Sequence, residues 1–177
     1  MDQHGFIHEK MDIKLLILYV LNLLPAPVDA IQLSELVFCD DGIGYFDYSD
    51  CLAELTENGQ ITEQNGAYQI TEIGSRNVET VESSLPYSVR TKARNITKPL
   101  ADRMRRAAMI VARHKEQDDG TFQVELGVTD GVSNLLNVQI MSPSIETAQK
   151  MERSFQARAE SIYHEVVRIL TEGDDLK

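Results

Sequence analysis

The chain has 177 residues, of which 42% are hydrophobic and 25% charged, an ordinary globular composition that excludes wholesale disorder. Its 17 basic and 28 acidic side chains give a formal net charge of −11. That charge excludes a protein coating nucleic acid or an anionic membrane with its whole surface. Two cysteines are too few for a disulfide framework and point to a reduced, cytoplasmic setting.

Met1–Glu9 is polar and lacks the basic start and apolar stretch of a signal peptide. The most apolar run, Ile13–Leu24, falls well short of the ~20 residues that span a bilayer. It reads as a buried core helix with Asp12 as N-cap, ended by Pro25-Ala26-Pro27. A second helix is expected from Ala30 to Phe38, with Ile31, Leu33, Leu36 and Val37 as its apolar side. Asp40-Asp41-Gly42-Ile43-Gly44 reads as a loop, pinned to the core by buried Tyr45 and Phe46.

A third helix is expected over Asp47–Glu57, closed by Asn58-Gly59. Tyr48, Cys51, Leu52 and Leu55 share one side, while Asp47, Ser49, Asp50, Glu54 and Glu57 lie elsewhere. Gln60–Glu63 and Ala67–Thr71 read as strands around an Asn65-Gly66 hairpin turn. Thr71 can cap a fourth helix from Glu72 to about Ser83, anchored by Ile73, Val78 and Val81.

Three helices followed by a hairpin is the winged-helix order. Leu55-Thr56-Glu57-Asn58-Gly59-Gln60-Ile61, followed by Tyr68-Gln69-Ile70-Thr71-Glu72-Ile73-Gly74, resembles many bacterial winged-helix regulators. The Tyr-x-Ile-Thr-x-x-Gly portion is similar to the wing exit of the PadR-like and MarR-like groups. From Asp12-Ile13-Lys14-Leu15-Leu16-Ile17-Leu18-Tyr19 to the C-terminal helix, the chain resembles a winged-helix family of unknown function in low-GC Gram-positive bacteria. The resemblance implies a fold more than an activity and gives no catalytic assignment; the fold by analogy favours DNA binding.

In winged-helix readers the third helix enters the major groove. Here that helix carries no Lys or Arg, and Asp47, Asp50, Glu54 and Glu57 repel phosphates. The wing, Glu63-Gln64-Asn65-Gly66, has no cation either. The cations are concentrated elsewhere. Residues 1–85 hold 3 basic and 15 acidic side chains, residues 86–115 hold 9 and 1, and residues 116–177 hold 5 and 12. This basic island meets an acidic partner or docks on the acidic lobes of its own fold or dimer.

Arg90, Lys92, Arg94 and Lys98 precede Pro99, where a helix is expected to start and run to Lys115. Leu100, Met104, Ala107, Ala108 and Val111 make its apolar stripe, with Arg103, Arg105, Arg106 and Arg113 around it. These eight cations, with Tyr48 and Ser49 of the third helix, are the candidate nucleic-acid-binding residues. Composition and charge switch near Ser83-Ser84-Leu85-Pro86, which divides the chain into a winged-helix domain (1–85) and a dimerisation or sensing lobe (86–177).

Thr121–Val128 alternates as a half-buried strand, and Leu136, Val138 and Ile140 repeat the pattern. A loop through Asp130–Asn134 pairs Val128 with Leu136, Leu126 with Val138 and Val124 with Ile140. A two-residue Asp130-Gly131 turn would instead pair opposite faces. Ser144 caps a long final helix whose stripe is Ile145, Ala148, Met151, Phe155, Ala159, Ile162, Val166 and Ile169. A small hairpin cannot cover a stripe of that length, so a homodimer is expected.

Cys39 and Cys51 read as small buried hydrophobes. Of the histidines, only His4 and His8 have a ligand-like spacing, in a loose terminus. Asp118-Asp119-Gly120 and Gly173-Asp174-Asp175 read as solvated acids, and no phosphate-cradling glycine loop or nucleophile elbow occurs. No metal, cofactor or catalytic residue is expected. The fold class expected is α+β: a winged helix-turn-helix, then a helix, a β-hairpin and a long helix. Two functions follow. One is a dimeric regulator on double-stranded DNA. The other is a winged-helix interaction module whose acidic face meets a basic protein partner.

Overall fold

The computed structural model describes Ile7 and residues 9–172. The described residues form a mixed α+β fold of six α-helices and two three-stranded antiparallel sheets. They fall into two compact units that divide between Met104 and Arg105.

Helix α1 (Lys10–Leu23) forms the centre of the first unit. Ile13 and every residue from Leu15 to Leu21 are buried, as a helix apolar on all sides must be. It begins three residues before the expected start, so Asp12 lies in the first turn rather than at the cap. There its carboxylate still complements the helix dipole. Two ion pairs hold the early turns from the side. Lys10 Nζ lies 3.0 Å from Asp50 and Lys14 Nζ 2.5 Å from Glu54, both on α3 (Tyr45–Glu57).

A short strand, β1 (Val28–Asp29), leads into α2 (Ala30–Val37). The Asp29 carboxylate accepts the Gln32 N–H at 2.8 Å and caps the helix. Leu33, Leu36 and Val37 are buried, but Ile31 is 72% exposed. In the first turn it lies off their stripe.

Tyr45 and Phe46 correct the expectation most. They are 66% and 84% exposed, because α3 starts at Tyr45 and buries Tyr48, Cys51, Leu52 and Leu55 instead. The preceding loop is pinned by Asp40, only 6% exposed. Its carboxylate accepts the Ile7 N–H at 3.4 Å and the Gly42 N–H at 3.1 Å.

Strands β2 (Ile61–Gln64) and β3 (Ala67–Ile70) pair with Gln64 opposite Ala67. Asn65 (φ 53°) and Gly66 (φ 78°) are both left-handed, which makes the expected two-residue turn. β1 adds to β3, giving the order β1-β3-β2. Thr71 Oγ1 accepts the Gly74 N–H at 3.2 Å and so starts α4 (Glu72–Val81). Its hydroxyl lies 2.8 Å from the Gly59 carbonyl and 3.0 Å from that of Gln60.

Helix α4 buries Gly74 and Val78, one turn apart, while Ile73 and Val81 are exposed against expectation. Its position is set by Ser75, whose Oγ donates to Asn22 Oδ1 at 2.7 Å. Val81 instead borders an open groove of about 510 Å³, with Met11, Leu15, Leu18 and Leu55 among the other lining residues.

After a 3₁₀ turn over Glu82–Ser84 comes α5 (Tyr87–Ala108), twelve residues ahead of the expected helix start at Pro99. Val89, Ala93, Thr97 and Ala101 form a buried ladder every fourth residue. Pro99 lies inside the helix on an exposed position. Its ring removes the N–H that would reach the Asn95 carbonyl, and packing at Thr97 and Ala101 carries the helix across the gap. Leu100 and Met104 pack against the core as expected, but Ala107 and Ala108 are exposed.

Val111 and Arg113 belong to a strand rather than to that helix. β4 (Ile110–Glu116) pairs along its whole length with β5 (Phe122–Thr129). Tertiary pairing overrides the helical reading of an Arg/Lys/Ala-rich stretch. β6 (Asn134–Ser142) completes the order β4-β5-β6. Its register is the expected one, with Val128, Leu126 and Val124 opposite Leu136, Val138 and Ile140. Asp130 Oδ1 accepts the Val132 and Ser133 N–H groups at 2.9 and 2.7 Å. Those bonds, the one from Ser133 first, hold its carboxyl below the usual range.

Helix α6 (Ile145–Glu172) is capped by Ser144 Oγ, which accepts the Thr147 N–H at 3.3 Å. Ala148, Phe155 and Ala159 are buried against the sheet, with Met151 and Ile162 packed beside them. The helix is kinked at Arg158 (φ −136°). Ile145 at its start and Ile169 near its end are 41% and 56% exposed, so the sheet covers only the middle of the expected stripe.

Candidate nucleic-acid interface

The outward side of α3 is the first part of the candidate interface. Phe46, Ser49, Asp50, Ala53 and Glu57 are exposed there. Tyr45 and Phe46 meet edge to face, with ring centroids 6.1 Å apart. Tyr48 was a candidate contact, but it is 4% exposed and packs against Phe38 at a centroid distance of 5.1 Å. Burial drives its hydroxyl pKa well up, and that hydroxyl has no hydrogen-bond partner among the described residues. Of the two candidates on this helix, only Ser49 faces solvent.

The acids of α3 are less free than their number implies. Lys14 donates a hydrogen bond to Glu54 and lowers its carboxyl pKa. Asp50 raises that of Lys10 in the same way. A depressed carboxylate pKa stabilises the fold above its unfolded value, near 4.5, and that contribution is lost as pH falls through the folded value. Glu54→Gln is therefore expected to narrow the fall in urea midpoint between about pH 6 and pH 3. An unchanged fall in the variant would show that the pair has no such role.

The cations of the island are differently engaged. Arg94 donates to the buried Tyr19 hydroxyl at 3.0 Å, and Lys98 pairs with Asp102 at 2.6 Å. Arg90 is half-buried, its Nε without a partner among the described residues. Arg113 pairs with Glu125 across β4 and β5 at 2.6 Å. Arg105 and Arg106 are exposed and fall in the second unit. In the first unit, Lys92 and Arg103 are exposed and form no ion pair with a described residue. Eleven residues apart, close to three turns, they stand on one side of α5.

Residues 13–170 match a family model described as a domain of unknown function (DUF4364). The chain belongs to that family. No curated protein and no solved structure matches it.

The match to the DUF4364 family runs through both compact units, so the strand-and-helix unit is as much a part of the family's domain as the helical one. Cys39 and Cys51 are both buried and free, and burial raises both thiol pKa values. His4, His8 and Gly173-Asp174-Asp175 lie outside the described residues. Among the described residues no cluster of three His, Cys, Asp or Glu is placed to hold a metal. No described helix is long and apolar enough to cross a membrane.

Proposed function

We propose that this chain is a homodimeric winged-helix regulator that binds double-stranded DNA. The observation that carries the reading is the order of the first unit. Three helices are interleaved with the antiparallel sheet β1-β3-β2, and on this reading its Asn65-Gly66 hairpin serves as the wing. The Tyr68-to-Gly74 segment, similar to a PadR-like or MarR-like wing exit, here starts α4 from Thr71. α3 offers Ser49 and no cation to a groove. Affinity therefore comes from phosphate contacts by Lys92 and Arg103 of the first unit.

The test is fluorescence anisotropy with duplex DNA from upstream of the chain's own gene, at about 50 and 200 mM salt. Binding that survives a scrambled competitor is expected. Lys92→Glu with Arg103→Glu should weaken it at least tenfold and lower the salt slope by about two. Binding that any duplex displaces, or none at either salt, overturns the reading.

One observation favours a second reading, an interaction module for a basic protein partner. Tyr45 and Phe46 stand exposed on α3 among Asp47, Asp50 and Glu57, a mixture of aromatic and acidic groups suited to cationic side chains. On this reading Phe46→Ala abolishes capture of the partner and Lys92→Glu does not affect it.

A further inference from the structure

The chain carries net charge −11, so most ways of bringing two copies together place like charges face to face. Its longest uncharged run is residues 131–145, and the structure puts that run on an edge strand. β6 lies at one side of the order β4-β5-β6. It is nine residues long, holds no proline or charge, and its one irregularity lies at its start, opposite Val128/Thr129. Folds normally blunt a free edge with lysine, proline or a bulge, because its unpaired backbone groups template another strand.

The flanking faces are open as well. α6 packs mainly on β5 and β4 and much less on β6. On the helix side Ile140 is 37% exposed and on the opposite side Met141 is 56% exposed, while Leu135, left unpaired at the irregularity, is 44% exposed.

We propose that β6 pairs with β6 of a second copy, antiparallel about a two-fold axis at Val138, to make one continuous six-stranded sheet. The proposal rests on the homodimeric part of the functional reading and names its interface. In this register Ile140 faces the partner's Leu136 and Gln139 faces the partner's Asn137. Apolar meets apolar and amide meets amide, on matching faces, with no charge on either strand. A two-fold interface has to be self-complementary in this way, and the β4 edge, with Arg113, His114, Lys115 and Glu116, is not.

The full chain tests this. On oxidation Val138→Cys should become a disulfide-linked dimer in most of the sample, since residues directly opposite across an antiparallel pair lie within bridging distance. Asn134→Cys lies about 27 Å from its own copy in this register and should cross-link no more than the unmodified chain. Asn137 and Gln139 are exposed, so charging them leaves the fold intact. Asn137→Lys with Gln139→Lys sets like charges opposite one another and should halve the sedimenting mass, to 19.9 kDa. Asn137→Lys with Gln139→Glu sets opposite charges across the axis and should restore the dimer. A dimer that ignores both pairs and fails to cross-link at residue 138 overturns the β6 interface while the homodimer stands. A monomeric unmodified chain overturns both.

Discussion

Gly74→Ala is expected to lower the melting temperature of the first unit by about 8 °C or more. A Cβ at this position would sit 2.2 Å from the Gln60 carbonyl oxygen and 2.9 Å from Ile70 Cγ1. The first neighbour is backbone and cannot rotate away, so α4 has to move off the start of β2. Moving it breaks the Thr71–Gly74 cap and pulls Val78, fully buried, out of the core. Overpacking of this kind typically costs about 1–3 kcal/mol, occasionally more, and a lost cap about 1 kcal/mol. Each kcal/mol shifts the melting point by roughly 4–8 °C in a unit of about 100 residues, the size of the first unit, Met1–Met104. Ile73→Ala, next door and 58% exposed, is the control and should shift it little. A Gly74→Ala melt matching that control would mean that the close approach of α4 to Gln60 is not part of the fold.

The same contact explains why the start of α4 is legible in the sequence. Thr71 and Gly74 both act locally. Thr71 caps α4 and ties back to Gly59 and Gln60, and Gly74 leaves room for the carbonyl. The β5–β6 register was legible for a related reason. Alternation on both strands admits only pairings that keep the apolar faces together, and the Asp130 loop was long enough to allow one. What the sequence obscured depended on distant partners. β4 alternates weakly, and its strand character comes from pairing with β5. Pro99 looked like a helix start because nothing local shows that Thr97 and Ala101 are packed on either side of it. Tyr45 and Phe46 looked like core because they are aromatic, whereas the loop is pinned by a buried carboxylate, Asp40. Of the candidate interface, the cations were visible but their engagements were not: Arg94 reaches Tyr19, 75 positions away. Tyr48 is a candidate contact that its own spacing argues against. The spacing of Tyr48, Cys51, Leu52 and Leu55 already sets it on the buried side of α3.

Phe155→Ala is expected to open the second unit and leave the first closed. The fully buried part of that unit's core is small: Val124, Leu126, Ala148, Phe155 and Ala159. Phe155 is the one large side chain that α6 buries there, and it sits just before the kink at Arg158. Two alanines and a partly exposed Met151 cannot close over the space it would leave. Truncating a buried Phe costs about 3–5 kcal/mol, and each 1.4 kcal/mol is tenfold in an opening equilibrium. Amide exchange in β4, β5 and β6 should therefore accelerate by at least a hundredfold, while β2, β3 and α1 keep their protection. Because β6 belongs to the unit that opens, the variant should also weaken the β6 pairing proposed above. Equal acceleration in both sheets would show that the two compact units fold as one cooperative body. Exchange unchanged in both would show that Phe155 does not hold α6 to its sheet.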